Sequence, residues 1–590
     1  MLAAPDLLPL IPVHEPLLIP FALGVAIYFV YKRYEINPGL YIPLTITLLV
    51  LPPAFSSLFL FYHHWSPSLS LWRAVFTSFT VFYSTILICI GGYRLSPWHP
   101  LARYPGPFLA KLSMFWLAYV TYRGKFHIVL RELHECYGPY VRIGPNQLSF
   151  IDVSLIPRIM GSDGMPKGPL FDGARIPGVP ANVVATRDLE DHARQRRTWT
   201  RCLSATAVKE YQPTIVRRAL QLAEELEKHA IHNQNSVEEV STDLAGWMSR
   251  FAFDFMGSMA FGGGFELLKE GDKDGIWDLI SRQMKAHATL QRLPWSSYIV
   301  HRIPYVVAAM KKFTQFCDRC VVDRRTRGPS TSPDGKDRDV FHYLINEDEG
   351  PQAYPDHLFV IENAKVAIIG GSDTTASTMS NVFFYLLTNP DVFRRLRAEL
   401  DEAFPPGEGD PFDFTRLAEL PYLNAVINET LRLQPPLPTD LQRAPSAGTK
   451  MKVIGDHVIP EGTGVSVPPY VLHRQKQYFS KPDEFIPERW VVNERPSGLG
   501  MKEKKISPLS DATEVWHHNT QAYIPFSTGF ANCAGRMLAL AEMKSVIALV
   551  LQRFDIRFAA NYNPEQWEKD IMNYFVYKLG ELPVVLTPRM

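Results

Sequence analysis

Three long stretches without charged side chains follow one another in the first hundred residues of the chain. They comprise residues 16–31, 36–62 and 74–93. Because a helix needs about 20 apolar residues to cross a bilayer, the second and third stretches are long enough, whereas the first is marginal. The pattern predicts a membrane anchor of two to three transmembrane helices over residues 1–96.

Basic residues beside these stretches predict the orientation of the anchor. They lie between the first two stretches and after the third, at Lys32, Arg33, Arg94 and Arg103. Since such residues favour the cytoplasmic side, everything after the third stretch is expected in the cytosol. Closely spaced prolines then favour stiff, extended backbone over residues 97–107. We expect a hinge there, followed by one large catalytic domain over residues 108–590.

The large domain carries more helical than strand patterns. Residues 140–150 alternate around a Gly-Pro turn as in a hairpin, and residues 451–467 resemble short strands. Helical patterns cover 191–228, with Pro213 starting a second helix, and then 357–387, 393–404, 422–433 and 535–554. Residues 491–522 form a polar insertion. The chain is therefore predicted to be mainly α with a minor β component.

Charge and cysteine content exclude several classes of protein. The 590 residues contain 61 Lys and Arg against 60 Asp and Glu, so no overall basic field attracts nucleic acid. Six cysteines are too few for a disulfide-built scaffold. Cys317 and Cys320 have the spacing of half a metal site, but no second pair completes it, so they are expected to be ordinary thiols.

The segment around Cys533 combines features that favour a reactive thiolate. A helical pattern begins directly after this cysteine, and the N–H groups at a helix N-terminus stabilise negative charge. Gly529 and Gly535 permit close approach of the backbone to a bulky group. A buried neutral cysteine is the commoner interpretation of an isolated residue. The surrounding motif argues against that interpretation.

This segment resembles the haem-ligand loop of the cytochrome P450 family, whose pattern is F-x-x-G-x-R-x-C-x-G. Phe526, Gly529, Cys533 and Gly535 match, whereas Ala531 stands where the family has the basic residue. The resemblance implies a P450 fold that follows the membrane anchor. It also implies haem b, iron protoporphyrin IX, with Cys533 as the axial thiolate ligand of the iron.

Two further motifs occur in the order that the family has them. Glu429 and Arg432 match E-x-x-R and share a helix face at i and i+3. Arg489 lies in a P-E-R-W segment. An isolated E-x-x-R would more often be a surface ion pair. The resemblance implies that these three residues form a buried structural network.

A third motif supplies candidate catalytic residues. Residues 370–375, Gly-Gly-Ser-Asp-Thr-Thr, interrupt a long apolar helix pattern with residues that disfavour helix. A kink without chemistry is the alternative interpretation. The segment resembles the family's oxygen-binding motif, which implies that Asp373 and Thr374 contact dioxygen and relay protons. Haem propionates are expected to bind to three residues that match the family's positions, His192, Arg196 and Arg443.

The resemblance implies a monooxygenase that hydroxylates or further oxidises a lipophilic substrate. Residues 101–112 and 141–146 are similar to fungal members, which favours a terpenoid or other secondary metabolite. Oxidation of xenobiotics is an alternative, as is a haem-thiolate isomerase or dehydratase that needs no electrons. The implied partners are NADPH-cytochrome P450 reductase, a lipid membrane, the substrate and dioxygen. A multi-pass protein of the endoplasmic reticulum with a cytosolic catalytic domain is expected.

Overall fold

The computed structural model describes residues 15–62, 70–173, 175–234, 241–263, 265–328, 338–350, 352, 354–491 and 516–589. The predicted insertion 491–522 falls mostly outside them. The first helices in chain order are α1 (Glu15–Tyr34), α2 (Ile42–Tyr62), α3 (Leu71–Leu95), α4 (Phe108–Leu112), α5 (Met114–Tyr122), α6 (Phe126–Tyr137), α7 (Ile156–Met160), α8 (Leu189–Cys202), α9 (Ala205–Gln234), α10 (Leu244–Phe261), α11 (Leu267–Glu270) and α12 (Ile276–Gln291). The remaining helices are α13 (Ser297–Val300), α14 (Pro304–Arg327), α15 (Val340–Leu344), α16 (His357–Thr388), α17 (Pro390–Ala403), α18 (Phe414–Glu419), α19 (Pro421–Leu433), α20 (Pro469–Leu472), α21 (Glu488–Val491), α22 (Arg536–Arg553) and α23 (Glu565–Asp570).

Within the described residues, the strands are short and form four small sheets. They are β1 (Tyr140–Gly144), β2 (Gln147–Phe150), β3 (Thr242–Asp243), β4 (Gln442–Arg443), β5 (Met451–Ile454), β6 (His457–Pro460), β7 (Gly464–Ser466), β8 (Phe554–Phe558), β9 (Met572–Tyr574), β10 (Val576–Lys578) and β11 (Pro583–Pro588). The largest sheet has the order β1-β2-β7-β4, with β7 parallel to β2 and antiparallel to β4. The predicted hairpin 140–150 is confirmed, and so is the mainly α fold with a minor β component.

Helices α1, α2 and α3 are each long and apolar enough to cross a membrane, and they fit a membrane anchor. Pro53 has no N–H group, so the Leu49 carbonyl loses its partner within α2. The Tyr83 hydroxyl on α3 donates to that carbonyl at 3.0 Å. Ser78 Oγ, also on α3, donates to the Pro53 carbonyl at 2.9 Å. The carbonyl that Pro53 leaves without a partner in α2 is thus satisfied by a neighbouring helix.

The three N-terminal helices are joined to the rest of the protein by hydrogen bonds from two arginines. Arg94, near the end of α3, donates from Nη1 to the Leu112 carbonyl at 2.7 Å. Arg142 on β1 donates from Nη1 to the Arg94 carbonyl at 3.1 Å. At the α1–α2 turn, Gly39 lies so close to the backbone that an added Cβ atom would overlap the Trp295 carbonyl oxygen. The three N-terminal helices therefore contact both the β1 region and the segment after α12.

Helix α16 runs through the centre of the body and is buried along most of its length. It packs along α10, where Gly371 leaves room for Met256, because a Cβ atom at Gly371 would lie 2.5 Å from Met256 Sδ. The expected helix over 357–387 matches α16 closely. Helices α17 and α19 begin slightly earlier than predicted because Pro390 and Pro421 occupy their first positions, which suit proline.

One boundary prediction was wrong. Pro213 does not start a helix; it lies inside α9. The break between α8 and α9 falls instead at Leu203 and Ser204. The Ser204 hydroxyl accepts a hydrogen bond from the Ala207 N–H at 3.3 Å, which caps the new helix. A serine cap thus marks the boundary, and the proline is accommodated within α9.

Candidate functional site

The loop before α22 folds back on itself around Cys533. The Cys533 N–H donates to the Phe526 carbonyl at 2.9 Å, which closes the loop. Ser527 and Gly529 have φ angles of 60° and 73°, the left-handed region that favours glycine. A Cβ atom at Gly529 would overlap the Met160 carbonyl oxygen. Gly529 is therefore required both by its own conformation and by the close approach of α7.

Cys533 presents its thiol at the N-terminus of α22. Burial raises the pKa of the thiol, while the backbone N–H groups of Gly535 and Arg536 and the charge of Arg196 act in the opposite direction. The side chain is nevertheless accessible. An accessible thiol in a recess lined by N–H donors is suited to bind a metal as a thiolate.

Basic side chains gather beside this loop. Arg443 on β4 and Lys167, paired with it across a β-bridge, are buried, as is His192 on α8. Burial, with smaller contributions from the charges of Arg443 and Arg196, lowers the pKa of Lys167 to about 7. Burial and the same group of cations lower the pKa of His192 to about 4. The charge of Arg443 thus disfavours charge on both Lys167 and His192, so the cluster is suited to bind an anion.

The hydrogen bonds of the cluster support this interpretation. Lys167 Nζ donates to the Val184 carbonyl at 2.9 Å, and Arg443 Nε is buried without an acceptor. Burial lowers the pKa of Arg443 to about 10. Within the described residues, no carboxylate forms an ion pair with Lys167 or Arg443. Lys167 is a site residue that the sequence analysis missed.

Arg196, also on α8, points to the cysteine loop. Its Nη2 donates to Asn532 Oδ1 at 2.6 Å, and its Nη1 donates to the Asn532 carbonyl. Phe530 lies against His192 with the ring centroids 5.6 Å apart. Ala531 contributes no charge. The structure thus brings Cys533, His192 and Arg196 together on one side of the loop.

Helix α16 carries the other candidate residues. Gly370 is exposed at the middle of this buried helix, and a Cβ atom there would meet no atom within 4 Å. The Thr374 hydroxyl donates to the Gly370 carbonyl at 2.8 Å. Asp373 Oδ2 is buried without a partner, and burial raises the pKa of Asp373 to about 7. The helix stays continuous through the two glycines, and its open side at Gly370 lies beside Thr374.

Glu429 on α19 is the centre of a buried charge network. Its carboxylate accepts from Arg432 Nε at 2.9 Å, from Arg432 Nη2 at 2.8 Å and from Arg489 Nε at 3.0 Å. The Ile486 N–H and Trp490 Nε1 donate at 3.0 and 2.9 Å. The side chains of Glu429, Arg432 and Arg489 are completely buried. The structure therefore places these three residues in one network.

His473 connects this network to the cysteine loop, and the sequence analysis missed it. Its Nδ1 lies 3.1 Å from the Arg432 carbonyl, and its Nε2 accepts from the Ile524 N–H at 2.9 Å. These two contacts assign the proton to Nδ1. Burial lowers the pKa of His473 to about 3, so the ring stays neutral. Since Ile524 lies two residues before Phe526, the network supports the start of the loop.

Comparisons with known proteins agree with this arrangement. The family model for cytochrome P450 matches residues 103–576. A cytochrome P450 monooxygenase of Eupenicillium brefeldianum is 34% identical over 508 residues, which cover 85% of this chain and 94% of that protein. Tryprostatin B 6-hydroxylase of Aspergillus fumigatus is 29% identical, with 83% of this chain and 81% of that protein covered.

A solved structure shows the same fold. The crystal structure of the cytochrome P450DA haem domain matches with a TM-score of 0.61 at 18% identity, and it covers 79% of this chain and 94% of that one. The chain belongs to the cytochrome P450 family. Its relatives include fungal monooxygenases, and the family and fold imply haem with a cysteine thiolate.

The residues of the site fit such a cofactor. Haem brings two carboxylates and an iron that takes a thiolate ligand. The unpaired Lys167 and Arg443 suit the carboxylates, and Cys533 at the helix N-terminus suits the iron. A Cβ atom at Gly535 would lie 3.9 Å from Cys533 Sγ, so this glycine keeps the space beside the thiol free of a side chain.

Proposed function

We propose that the protein is a haem-thiolate monooxygenase that oxidises a lipophilic small molecule. Haem bound by Cys533 would supply the oxygen-activating chemistry, to which the thiolate donates electron density. The observation that carries the proposal is the Thr374 hydroxyl bonded to the Gly370 carbonyl at the open side of α16, directly after Asp373, whose Oδ2 is buried without a partner. An isomerase or dehydratase does not consume dioxygen and needs no proton delivery to it.

The chain's own residues have separate tasks in this proposal. The N–H groups of Gly535 and Arg536 stabilise the negative charge of the Cys533 thiolate. Lys167, His192 and Arg443 hold the cofactor's carboxylates. Asp373 exchanges a proton at Oδ2, for which a pKa of about 7 is well placed, since a proton donor works best near ambient pH.

Thr374 Oγ1, which donates to the Gly370 carbonyl, is placed to pass that proton on. The Glu429, Arg432 and Arg489 network has a structural task, since its three side chains are completely buried. The catalytic residues of the proposal are thus Asp373 and Thr374.

For the substrate we propose a secondary metabolite of terpenoid or similar lipophilic character. The related Aspergillus protein is named for hydroxylation of tryprostatin B, which supports a small organic substrate. Oxidation of xenobiotics would use the same residues. The two substrate classes are distinguished by which compounds the protein converts to product.

For the electron donor we propose NADPH-cytochrome P450 reductase. A groove of about 1270 Å³ runs over α8 beside the cysteine loop, and its lining includes Arg194, Arg201 and Lys452. Asp163 is the one acidic residue among the groove residues in the described part of the chain. A basic surface close to the iron ligand suits an acidic electron-transfer partner.

For the location we propose a multi-pass protein of the endoplasmic reticulum. Residues 1–96 would be the membrane anchor, 97–107 the connection and 108–590 the cytosolic catalytic domain. The basic residues Lys32, Arg33 and Arg94 at the ends of α1 and α3 support this orientation.

Turnover in microsomes tests the proposed function. The full chain is co-expressed with a fungal reductase and supplied with NADPH and a panel of terpenoids and aromatic compounds. Products that gain one oxygen only when NADPH is present are expected. Products of unchanged mass, or lacking water, that form without NADPH would establish the isomerase or dehydratase instead.

A threonine pair tests the role assigned to α16. Thr374→Ala is expected to increase the NADPH consumed for each product molecule. Thr375→Ala is the matched control, because the buried Thr375 hydroxyl makes the equivalent bond one residue further along the helix, to the Gly371 carbonyl at 2.7 Å. Equal coupling in both variants would remove Thr374 from the proposal.

A further inference from the structure

We propose that the junction between the three N-terminal helices and the body is a binding site for the phosphate of an anionic phospholipid. Lys32, Arg94 and Lys111 would contact the lipid headgroup. This site lies outside the proposed oxidation and rests on the proposed membrane location, because a lipid reaches the junction only if α1 and α3 cross a bilayer.

Basic side chains from four elements meet at this junction. Lys32, in the last turn of α1, places Nζ 3.6 Å from the centre of the Tyr93 ring on α3. Arg94, the next residue of α3, donates at 2.7 Å to the carbonyl of the residue after Lys111 on α4. Arg142 on β1 donates to the Arg94 carbonyl at 3.1 Å. Direct contacts among α1, α3, α4 and β1 therefore bring the four cations together.

No carboxylate in the described part of the chain neutralises these cations. The ion pairs found there include none of Lys32, Arg94, Lys111 and Arg142. Glu35, which follows Lys32 closely in the sequence, is in none of these pairs either. Since like charges repel one another, a group of cations without a counter-charge is suited to bind an anion.

The buried members of the group add positive charge without reaching the lipid. Arg142 is completely buried, and its Nε, Nη1 and Nη2 all donate to carbonyl oxygens. Burial and the charges of Arg142 and two further cations lower the pKa of His99 to about 4, so the His99 ring is neutral. Burial, with a smaller contribution from the charge of Arg142, lowers the pKa of Lys111. The exposed Lys32 and the half-buried Arg94 and Lys111 are the members that can contact an anion.

The group also lies where a bilayer has its phosphates. Lys32 and Arg94 occupy the last turns of two helices that are long and apolar enough to cross a membrane, and basic residues at such positions face the headgroups. Phe108 and Leu109, on the same short helix as Lys111, are 62% and 57% exposed. A ligand that carries both a phosphate and acyl chains would cover these apolar side chains. A soluble phosphate compound would leave them in water, so a lipid is the better occupant.

Lipid binding by the full chain tests the site. The protein is purified in detergent, freed of lipid and titrated with phosphatidylserine or phosphatidylcholine, and the bound lipid is counted by native mass spectrometry. The variants are Lys32→Gln, Lys111→Gln and the combination of both. Arg33→Gln is the matched control, because Arg33 is exposed on the same helix turn and loses the same charge, but its guanidinium lies over the Tyr34 ring and not against α3.

Phosphatidylserine is expected to bind to the unsubstituted protein more tightly than phosphatidylcholine. Each single variant is expected to weaken the binding of phosphatidylserine about fivefold, the size expected for one basic residue close to an anionic membrane surface. The combined variant is expected to lose the preference for phosphatidylserine, whereas Arg33→Gln is expected to keep it. Glycerophosphoserine, the headgroup without acyl chains, is expected not to displace the bound lipid.

Three results would overturn the site while leaving the proposed oxidation intact. Equal losses in Lys32→Gln and Arg33→Gln would mean that the basic residues only attract anionic surfaces in general. Equal binding of the two lipids by the unsubstituted protein would mean that the acyl chains alone hold the lipid. Displacement by glycerophosphoserine would indicate a site for a soluble phosphate compound.

The same preparation separates failure of the site from failure of the other proposals. A chain that binds phosphatidylserine as expected but forms no oxidised product would refute the proposed function and leave the site standing. A chain that stays soluble without detergent would refute the proposed membrane location together with the site.

Discussion

Replacement of Glu429 by Gln tests how much the buried charge network contributes to stability. The Glu429 carboxylate accepts five hydrogen bonds, four from side chains of Arg432, Arg489 and Trp490 and one from the Ile486 N–H. An amide presents one acceptor oxygen, and its NH₂ group would face donors. The substitution also leaves two buried guanidinium charges without a counter-charge.

The substitution is expected to lower the free energy of unfolding by about 3–5 kcal/mol, the range for removal of one partner from a buried ion pair. That is a large part of the about 5–15 kcal/mol by which folded domains are stable. Burial alone would raise the pKa of Glu429, but Arg432 and Arg489 hold it below its usual range. The stabilisation is therefore present above the pKa of an unfolded Glu, and it is lost as the pH falls through the lower folded value.

The assay is the thermal midpoint and the haem retention of the purified proteins, measured at matched heating rate. Asp391→Asn is the control, because Asp391 forms an ion pair with Arg394 in which the two side chains are 91% and 79% exposed. An exposed pair contributes about 0–1 kcal/mol. The thermal midpoint of Glu429→Gln is expected to lie well below that of the control near neutral pH and to approach that of the control in acid. A Glu429→Gln protein that melts together with Asp391→Asn would refute the reasoning.

Three further predictions follow from the glycines and from Asp373. Gly371→Ala is expected to lower the thermal midpoint, because its methyl group would lie 2.5 Å from Met256 Sδ. The methyl group of Gly370→Ala would meet no atom, so this variant is expected to keep or raise the thermal midpoint. Gly529→Ala would place a side chain at a left-handed φ of 73°, and its methyl group would clash with the backbone of α7. We therefore expect this variant to be expressed without bound haem, which is measured as the ratio of haem absorbance to protein absorbance. For Asp373, whose pKa burial raises to about 7, the protonated form dominates below that value, so product formed per NADPH is expected to fall as the pH rises through it. Asp373→Asn is expected to remove this pH dependence; an identical profile in both proteins would contradict it.

Local patterns in the sequence were sufficient for the parts of the fold that depend on neighbouring residues. The spacing of Glu429 and Arg432 at i and i+3 places both on one side of α19, and α16 follows its apolar pattern almost to the residue. The hairpin of β1 and β2 follows from alternation around a turn. These features need no knowledge of distant contacts.

Other parts of the site depend on contacts that no local pattern records. Lys167 lies in an irregular stretch of chain, and its significance comes from its pairing with Arg443, far along the sequence. His473 joins the Arg432 carbonyl to the Ile524 N–H, which are likewise distant in sequence. A lone lysine or histidine is common in any sequence, so the three-dimensional structure was needed to find them.

The contacts between the apolar helices and the body have a practical consequence for obtaining the protein in water. Removal of residues 1–96 would delete the Arg94 carbonyl, to which the completely buried Arg142 donates, and the arginine that holds the Leu112 carbonyl. It would also uncover the backbone at Trp295, against which Gly39 lies. A shortened protein would therefore lack the hydrogen bonds that these residues make to β1 and α4. Detergent or nanodisc preparations that retain all three helices are the better starting material for crystallisation or cryo-microscopy.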